Sequence, residues 1–203
     1  MARRHRGSAK RSRRKGEVLA RLKPEEGAGL LRTLLERHPE LAVEAEEIAK
    51  ATMADVEAEA VAEDVEQAVL DLDLSELNSR AGRQEWGYVE PTEAAWEILA
   101  EAIEPFLDDM KRHINLGFEA AALATCAGIV LGLYRCRGKN SDQLLGWAED
   151  FPADTAGEAV AMLASESRAK HRRAWLLPDA VLAQMPEWVE MIGRCSKPAS
   201  GRR

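Results

Sequence analysis

The apolar residues of this chain recur at the spacing of an α-helix over most of its length. The clearest run keeps to one side of a helix for four turns: Trp96, Leu99, Ile103, Phe106, Leu107 and Met110. Ala, Leu and Glu dominate the composition, whereas β-branched and aromatic residues are sparse, which favours helix over strand. No segment shows the alternation that is typical of a half-buried strand. We therefore expect an all-α protein.

Proline and glycine divide this pattern into about eight helices with short connections. The first two meet at His38-Pro39, where proline ends a helix that carries Leu30, Leu31, Leu34 and Leu35 on one side. Pro105 lies inside the longest run and is expected to kink or divide it. Short connections favour antiparallel neighbours. The predicted fold is an irregular multi-helix array or bundle over residues 17–192, between a disordered basic arm (1–16) and a disordered basic tail (193–203).

Residues 120–134 are apolar apart from Thr125 and contain the pattern Gly128-x-x-x-Gly132. A membrane-spanning helix needs about 20 apolar residues, which is more than this run supplies. We expect a helix that is buried on most faces, with the two glycines allowing a neighbouring helix to approach closely. No membrane partner is predicted.

Charge is strongly segregated along the chain. The first fifteen residues hold eight basic side chains and no acidic ones: Arg3, Arg4, Arg6, Lys10, Arg11, Arg13, Arg14 and Lys15. Four more basic residues and no acidic ones lie near the C-terminus. Since the whole chain has a net charge of −7, residues 16–192 carry a net charge of −19. Such an arm can bind nucleic acid without sequence specificity. Alternatives are a solubility tail, a contact with the chain's own acidic body, or a wrongly assigned start.

No pattern of catalytic or metal-binding residues is present. The four histidines lie far apart, and the three cysteines, Cys126, Cys136 and Cys195, lack zinc-ligand spacing. Cys136 stands between two arginines, which could lower its pKa, but no base accompanies it, and packed thiols are the simpler interpretation. We expect no cofactor, no metal and no enzymatic activity, and an odd cysteine count suits the reducing cytoplasm.

Residues 78–90 form the longest irregular stretch of the body and hold its most suggestive residues. Arg80, Arg83, Trp86 and Tyr88 are residue types that often anchor protein interfaces, so the segment is a candidate recognition loop. In the other interpretation, the two aromatic residues close the edge of the core and the arginines pair with nearby carboxylates.

The run Leu34-Leu35-Glu36-Arg37-His38-Pro39-Glu40-Leu41 resembles uncharacterised bacterial all-helical proteins related to HEAT and TPR repeat scaffolds. The resemblance covers mainly residues 24–53 and the helix rhythm that follows. It implies a scaffold of helical hairpins that binds another protein, and it transfers no functional residues. We therefore expect a protein-interaction module whose partner is basic. The alternative is a nucleic-acid-associated protein tethered by its arm.

Overall fold

A computed structural model of the chain describes residues 18–84, 87–139 and 143–197, except for the side chain of Gln84. These residues form ten α-helices, two 3-10 turns and one pair of short strands, which confirms the all-α class. The chain divides into two compact units, Met1–Thr52 and Met53–Arg203, called here the N-terminal and C-terminal units. The predicted arm lies outside the described residues.

The N-terminal unit contains helix α1 (Pro24–Arg37), a 3-10 turn (Pro39–Leu41) and most of helix α2 (Ala42–Ala54). At the start of α1 the backbone N–H of Lys23 donates to Glu26 Oε2 at 2.9 Å, which satisfies one of the free donors of a helix N-terminus. His38 ends α1 before Pro39, as the sequence predicts.

No side chain among residues 18–52 is buried. The leucines on one side of α1 remain substantially in solvent, with exposed fractions of 46% for Leu30, 49% for Leu31 and 42% for Leu34. Helical spacing thus gives the helix correctly, but the apolar side that it defines does not become a core here. Two short helices provide too little surface to enclose it.

The C-terminal unit holds the remaining elements. In chain order they are α3 (Ala58–Leu70), α4 (Leu74–Arg80), β1 (Gly82–Gln84), β2 (Gly87–Val89), α5 (Pro91–Leu116), α6 (Glu119–Cys136), α7 (Leu144–Trp147), α8 (Phe151–His171), α9 (Asp179–Leu182), a 3-10 turn (Pro186–Trp188) and α10 (Val189–Cys195). The last helix continues three residues into the segment predicted as a tail.

Helix α6 is the centre of the C-terminal unit. It packs against α3, α5 and α8, and its Ile129 and Leu133 have no solvent exposure. Ile103 of α5 and Leu163 of α8 are equally inaccessible. The stripe predicted on α5 therefore does face a core.

Gly128 and Gly132 bring α6 against α3. A Cβ atom on Gly128 would lie 2.5 Å from Val61 Cβ, and one on Gly132 would lie 2.6 Å from the backbone oxygen of Ala62. The predicted close approach is confirmed, and the neighbouring helix belongs to this chain. Among the described residues, α6 is the one helix whose 18-residue length and mean hydropathy could suit a membrane span, yet 67% of it is buried in the fold, as in a core helix.

Pro105 does not divide α5, which runs unbroken from Pro91 to Leu116. Proline removes one helical hydrogen bond, the one to the carbonyl of Glu101. Glu101 and Pro105 lie on the exposed side of the helix, where water can donate a hydrogen bond to the carbonyl of Glu101. This explains why the helix continues.

The strands β1 and β2 are a feature that the sequence pattern did not predict. They pair antiparallel, with Gly82 opposite Val89 and Gln84 opposite Gly87, and two residues separate them. The segment over 78–90 is thus the last turn of α4 followed by a hairpin, and not an irregular loop.

Candidate protein-binding surface

The hairpin β1–β2 presents two of the predicted recognition residues on one side. Arg83 lies directly opposite Tyr88, and residues at opposite positions of an antiparallel pair project to the same face. Both side chains are exposed, Tyr88 to 64%. Gly82 has φ of +93°, a conformation that favours glycine, and so this residue turns the chain out of α4 into the hairpin.

Arg80 anchors the helix before the hairpin to α5. Its Nη1 and Nη2 atoms donate to the two carboxylate oxygens of Glu101, each at 2.7 Å, and Nη2 also reaches Glu76 Oε1 at 2.5 Å. The hydrogen bond from Arg80 lowers the pKa of Glu101, as a bidentate arginine does for a carboxylate. Arg80 thus holds α4 in place against α5. This agrees with the second interpretation of the sequence, in which the arginines of this segment pair with nearby carboxylates.

A cavity of about 460 Å³ opens between α4, the hairpin and the first turns of α5. Its lining residues come from all three elements: Ser79, Arg80, Gly87, Tyr88, Val89, Glu93 and Glu97. The cavity therefore has one aromatic wall, one fixed guanidinium and two carboxylates one helical turn apart.

Glu93 and Glu97 supply two negative charges to the lining of this cavity. Both are exposed, and within the described residues neither takes part in an ion pair. By contrast, Glu101, one turn further along α5, is neutralised by Arg80. Glu93 and Glu97 begin an acidic side of α5 that continues through Glu101, Glu104 and Asp108.

The predicted site residues are partly brought together. Arg80 and Tyr88 line the cavity and Arg83 faces the same side as Tyr88, whereas Trp86 lies outside the described residues. The basic arm, Arg3 to Lys15, also lies outside them, so nucleic-acid attachment stays a prediction.

Sequence reasoning missed Glu93 and Glu97. Acidic residues are so frequent between residues 36 and 109 that this pair has no distinguishing pattern. The available signal was their helical spacing directly after a segment already chosen for its arginines and aromatics.

The buried cysteines Cys126 and Cys136 offer no second site. Burial raises the pKa of both the Cys126 and the Cys136 thiol to about 12, so the lowered value considered for Cys136 is wrong. Desolvation of the Cys136 thiol is the largest effect on its pKa. The negative charge of Glu66 raises this pKa further, and the positive charge of Lys139 lowers it by less. A cavity of about 390 Å³ includes Cys136, but a thiol of this kind is not a nucleophile at neutral pH. The described residues hold no cluster of three potential metal ligands.

Comparison of the chain with protein-family models, with curated proteins and with solved structures finds no match. The likeness to HEAT and TPR scaffolds therefore stays a prediction.

Proposed function

We propose that this protein is a helical interaction module that binds a basic segment of another protein at the hairpin cavity. The observation that supports the proposal is a pair of carboxylates, Glu93 and Glu97, that form no ion pair among the described residues and lie beside the exposed ring of Tyr88. A lysine or arginine of a partner would gain an ion pair with the carboxylates and a cation–π contact with the ring.

The charge of the chain between its two basic ends also favours a cationic partner. The net charge of −19 on residues 16–192 attracts basic segments over about a Debye length and raises their rate of association. Arg80 fixes α4 against α5, which keeps the cavity open before a partner arrives. A pre-formed site avoids part of the ordering cost of binding. The proposed role is binding without catalysis.

The test is fluorescence anisotropy of the full chain with labelled lysine- and arginine-rich peptides, in a salt series and against acidic peptides of equal length. We expect binding that weakens with salt. Glu93→Gln together with Glu97→Gln should weaken it by about tenfold or more, and Tyr88→Ala should weaken it by several-fold.

Glu104→Gln supplies the matched control, because Glu104 is an exposed glutamate of the same helix that does not line the cavity. If Glu104→Gln and the single cavity change Glu93→Gln lower the peptide affinity equally, the binding is a general attraction between an acidic protein and a basic peptide. Failure of every basic peptide to bind better than the acidic ones would refute the proposed function.

A further inference from the structure

The C-terminal ends of α5 and α8 lie together and form a basic surface. The contact is direct, since His171 Nε2 donates to the backbone oxygen of Ile114 at 2.8 Å. The two segments that meet here, 110–118 and 167–176, contain no acidic residue. They hold six basic ones, called here the basic end: Lys111, Arg112, Arg168, Lys170, Arg172 and Arg173.

Half of the basic end has no counterion within the part of the chain that the structure describes. Three of its side chains form ion pairs with carboxylates at the borders of the two segments: Lys111, Lys170 and Arg173. The other three take part in no ion pair among the described residues: Arg112, Arg168 and Arg172. The same segments also expose two leucines, Leu116 to 51% and Leu176 to 54%. The basic end thus combines free positive charge with exposed apolar surface.

Arg172 lies at the turn of this surface. It follows the last residue of α8, its φ is +61°, and its side chain is exposed, so the chain changes direction at this residue. The hairpin cavity offers what a guanidinium binds: the carboxylates of Glu93 and Glu97 and the exposed ring of Tyr88. The two surfaces are therefore complementary in charge.

Arg172 cannot reach the cavity of its own molecule. Glu97 lies near the start of α5, and Ile114, which contacts the neighbour of Arg172, lies near the end of the same unbroken helix. At the rise of an α-helix these two positions are about 26 Å apart, which is several times the length of an arginine side chain. The two surfaces can meet only between molecules.

We propose that a second copy of this chain is a partner of the hairpin cavity, with the basic end of one copy docked there and Arg172 held by Glu93, Glu97 and Tyr88. The inference rests on the proposed function, because it names an occupant of the same cavity. Arginine and tyrosine are frequent anchors of protein interfaces. Since the two surfaces that meet are different, each pair leaves one cavity and one basic end free, and association continues into chains or closes into rings.

The net negative charge of the chain weakens this contact without preventing it. At a salt concentration of about 0.15 M, exposed charges more than about 8 Å apart are largely screened. Distant carboxylates of two copies therefore repel each other weakly, whereas opposite charges in contact still attract. Both surfaces are small, which places the contact among weak, concentration-dependent interfaces.

The test is sedimentation equilibrium of the full chain at about 0.15 M salt, at protein concentrations up to about 1 mM, where weak contacts are populated. The weight-average mass should rise with concentration. Arg168→Gln together with Arg172→Gln should weaken the association at least about tenfold, and so should Glu93→Gln together with Glu97→Gln. None of these four residues is buried, and circular dichroism checks the fold of each variant.

Arg194→Gln is the matched control for the single change Arg172→Gln. Arg194 is also an exposed arginine without an ion pair among the described residues, and it belongs to α10, outside both surfaces. Arg172→Gln should weaken the association several-fold, whereas Arg194→Gln should associate like the unaltered chain.

Mixing the two double variants gives the sharpest result, because each lacks one of the two surfaces. Neither should associate alone, whereas the mixture should form a one-to-one complex and nothing larger. Association that survives the changes of Arg168 and Arg172 would overturn the inference, since another basic segment would then fill the cavity. A mixture that stays monomeric would overturn it as well, and so would an unaltered chain that stays monomeric at about 1 mM.

Peptide anisotropy separates this inference from the proposed function. The variant changed at Arg168 and Arg172 keeps its cavity and should bind basic peptides like the unaltered chain. Peptide binding by a chain that stays monomeric would refute the self-association alone. Self-association that needs both surfaces, without any preference for basic peptides, would refute the proposed function alone.

Discussion

At the scale of single residues, the contact between α3 and α6 depends on two positions that carry no side chain. The neighbours of Gly132 include a backbone oxygen, that of Ala62, at 2.6 Å from the position of a Cβ atom. A side-chain end can rotate away from an added methyl group, whereas a helix backbone has to move as a whole. The packing of the C-terminal unit is therefore sensitive to the smallest possible substitution here.

Gly132→Ala should lower the free energy of unfolding of the full chain by about 1–2 kcal/mol, since overpacking outweighs the better helix propensity of alanine. Urea denaturation followed by circular dichroism measures this change. Gly193→Ala is the control, because no atom lies within 4 Å of its added Cβ, and it should leave stability equal or higher. A Gly132→Ala variant as stable as the control would show that α3 and α6 can separate freely.

A second residue-scale feature fastens the 3-10 turn before α10 to the end of α6. Glu187 accepts two hydrogen bonds: the Tyr134 hydroxyl donates to its Oε2, and Arg137 Nη2 donates to its Oε1 at 3.0 Å. The Tyr134 ring also packs edge-on against the Trp188 ring, with 5.1 Å between the ring centroids. The hydrogen bonds from Tyr134 and Arg137 lower the pKa of Glu187 from 4.5 to about 2.

A lowered carboxyl pKa stabilises the folded state above the unfolded-state value and loses that contribution as the pH falls. The stability conferred by Glu187 should therefore be fully present above about pH 4.5 and should vanish as the pH approaches about 2. Glu187→Gln should be less stable than the unaltered chain at neutral pH, and this difference in stability should become smaller in acid. Urea midpoints of both proteins at several pH values measure the difference. A difference that grows in acid would contradict the lowered pKa of Glu187.

At the scale of elements, prolines and apolar spacing were enough to place the long helices. Pro24, Pro91 and Pro152 each lie in the first turn of a helix, as the fixed φ of proline favours. The hairpin could not be found in this way, because strands of three residues are too short to show alternation. Its glycines were visible, but they mark an irregular loop equally well.

The candidate site was only half predictable for a related reason. Residue type alone points to Arg80, Arg83 and Tyr88, and the structure brings them to adjoining surfaces. The function of each depends on distances that no pattern contains: Arg80 is held by Glu101, whereas Glu97, one turn earlier, lines the cavity without an ion-pair partner among the described residues. Which carboxylate is neutralised is a property of the packing between α4 and α5.

Arg80→Lys should loosen α4, because lysine keeps the charge but cannot donate to both oxygens of Glu101. Hydrogen exchange should become faster in peptides covering Leu74–Arg80. Lys111→Ala provides the control, since Lys111 pairs within α5 with Asp108 and should not change exchange in α4. Unchanged exchange after Arg80→Lys would show that α4 is held by its apolar contacts alone.

At the scale of the whole molecule, burial is distributed very unequally along the chain. The fully buried apolar side chains of the described residues all lie in the C-terminal unit, whereas residues 18–52 contribute none. Helical content alone, as read from the sequence, does not reveal this difference. The structure gives the two units different physical characters: one has a core, and the other exposes its apolar side.

Amide exchange of the free protein should reflect that difference. Amides of residues 18–52 should exchange in seconds, and those in the middle of α6 should be protected by orders of magnitude, since local opening is easiest where few apolar groups are buried. Time-resolved exchange with mass spectrometry measures both in one experiment. Protection of residues 18–52 for hours in the absence of any partner would show that they are covered in solution.

The glycine contact between α3 and α6 has a consequence for how this gene can vary. Any amino acid that replaces glycine brings at least a Cβ atom. At Gly128 or Gly132 that atom would overlap Val61, Val65 or the backbone of α3. A smaller residue at position 61 or 65 relieves only the side-chain part of this overlap, because the backbone oxygens of Ala58 and Ala62 lie 2.7 Å and 2.6 Å from the added Cβ atoms. A lineage that loses one of these glycines is therefore expected to show α3 and α6 further apart, and not only a smaller residue opposite the lost glycine.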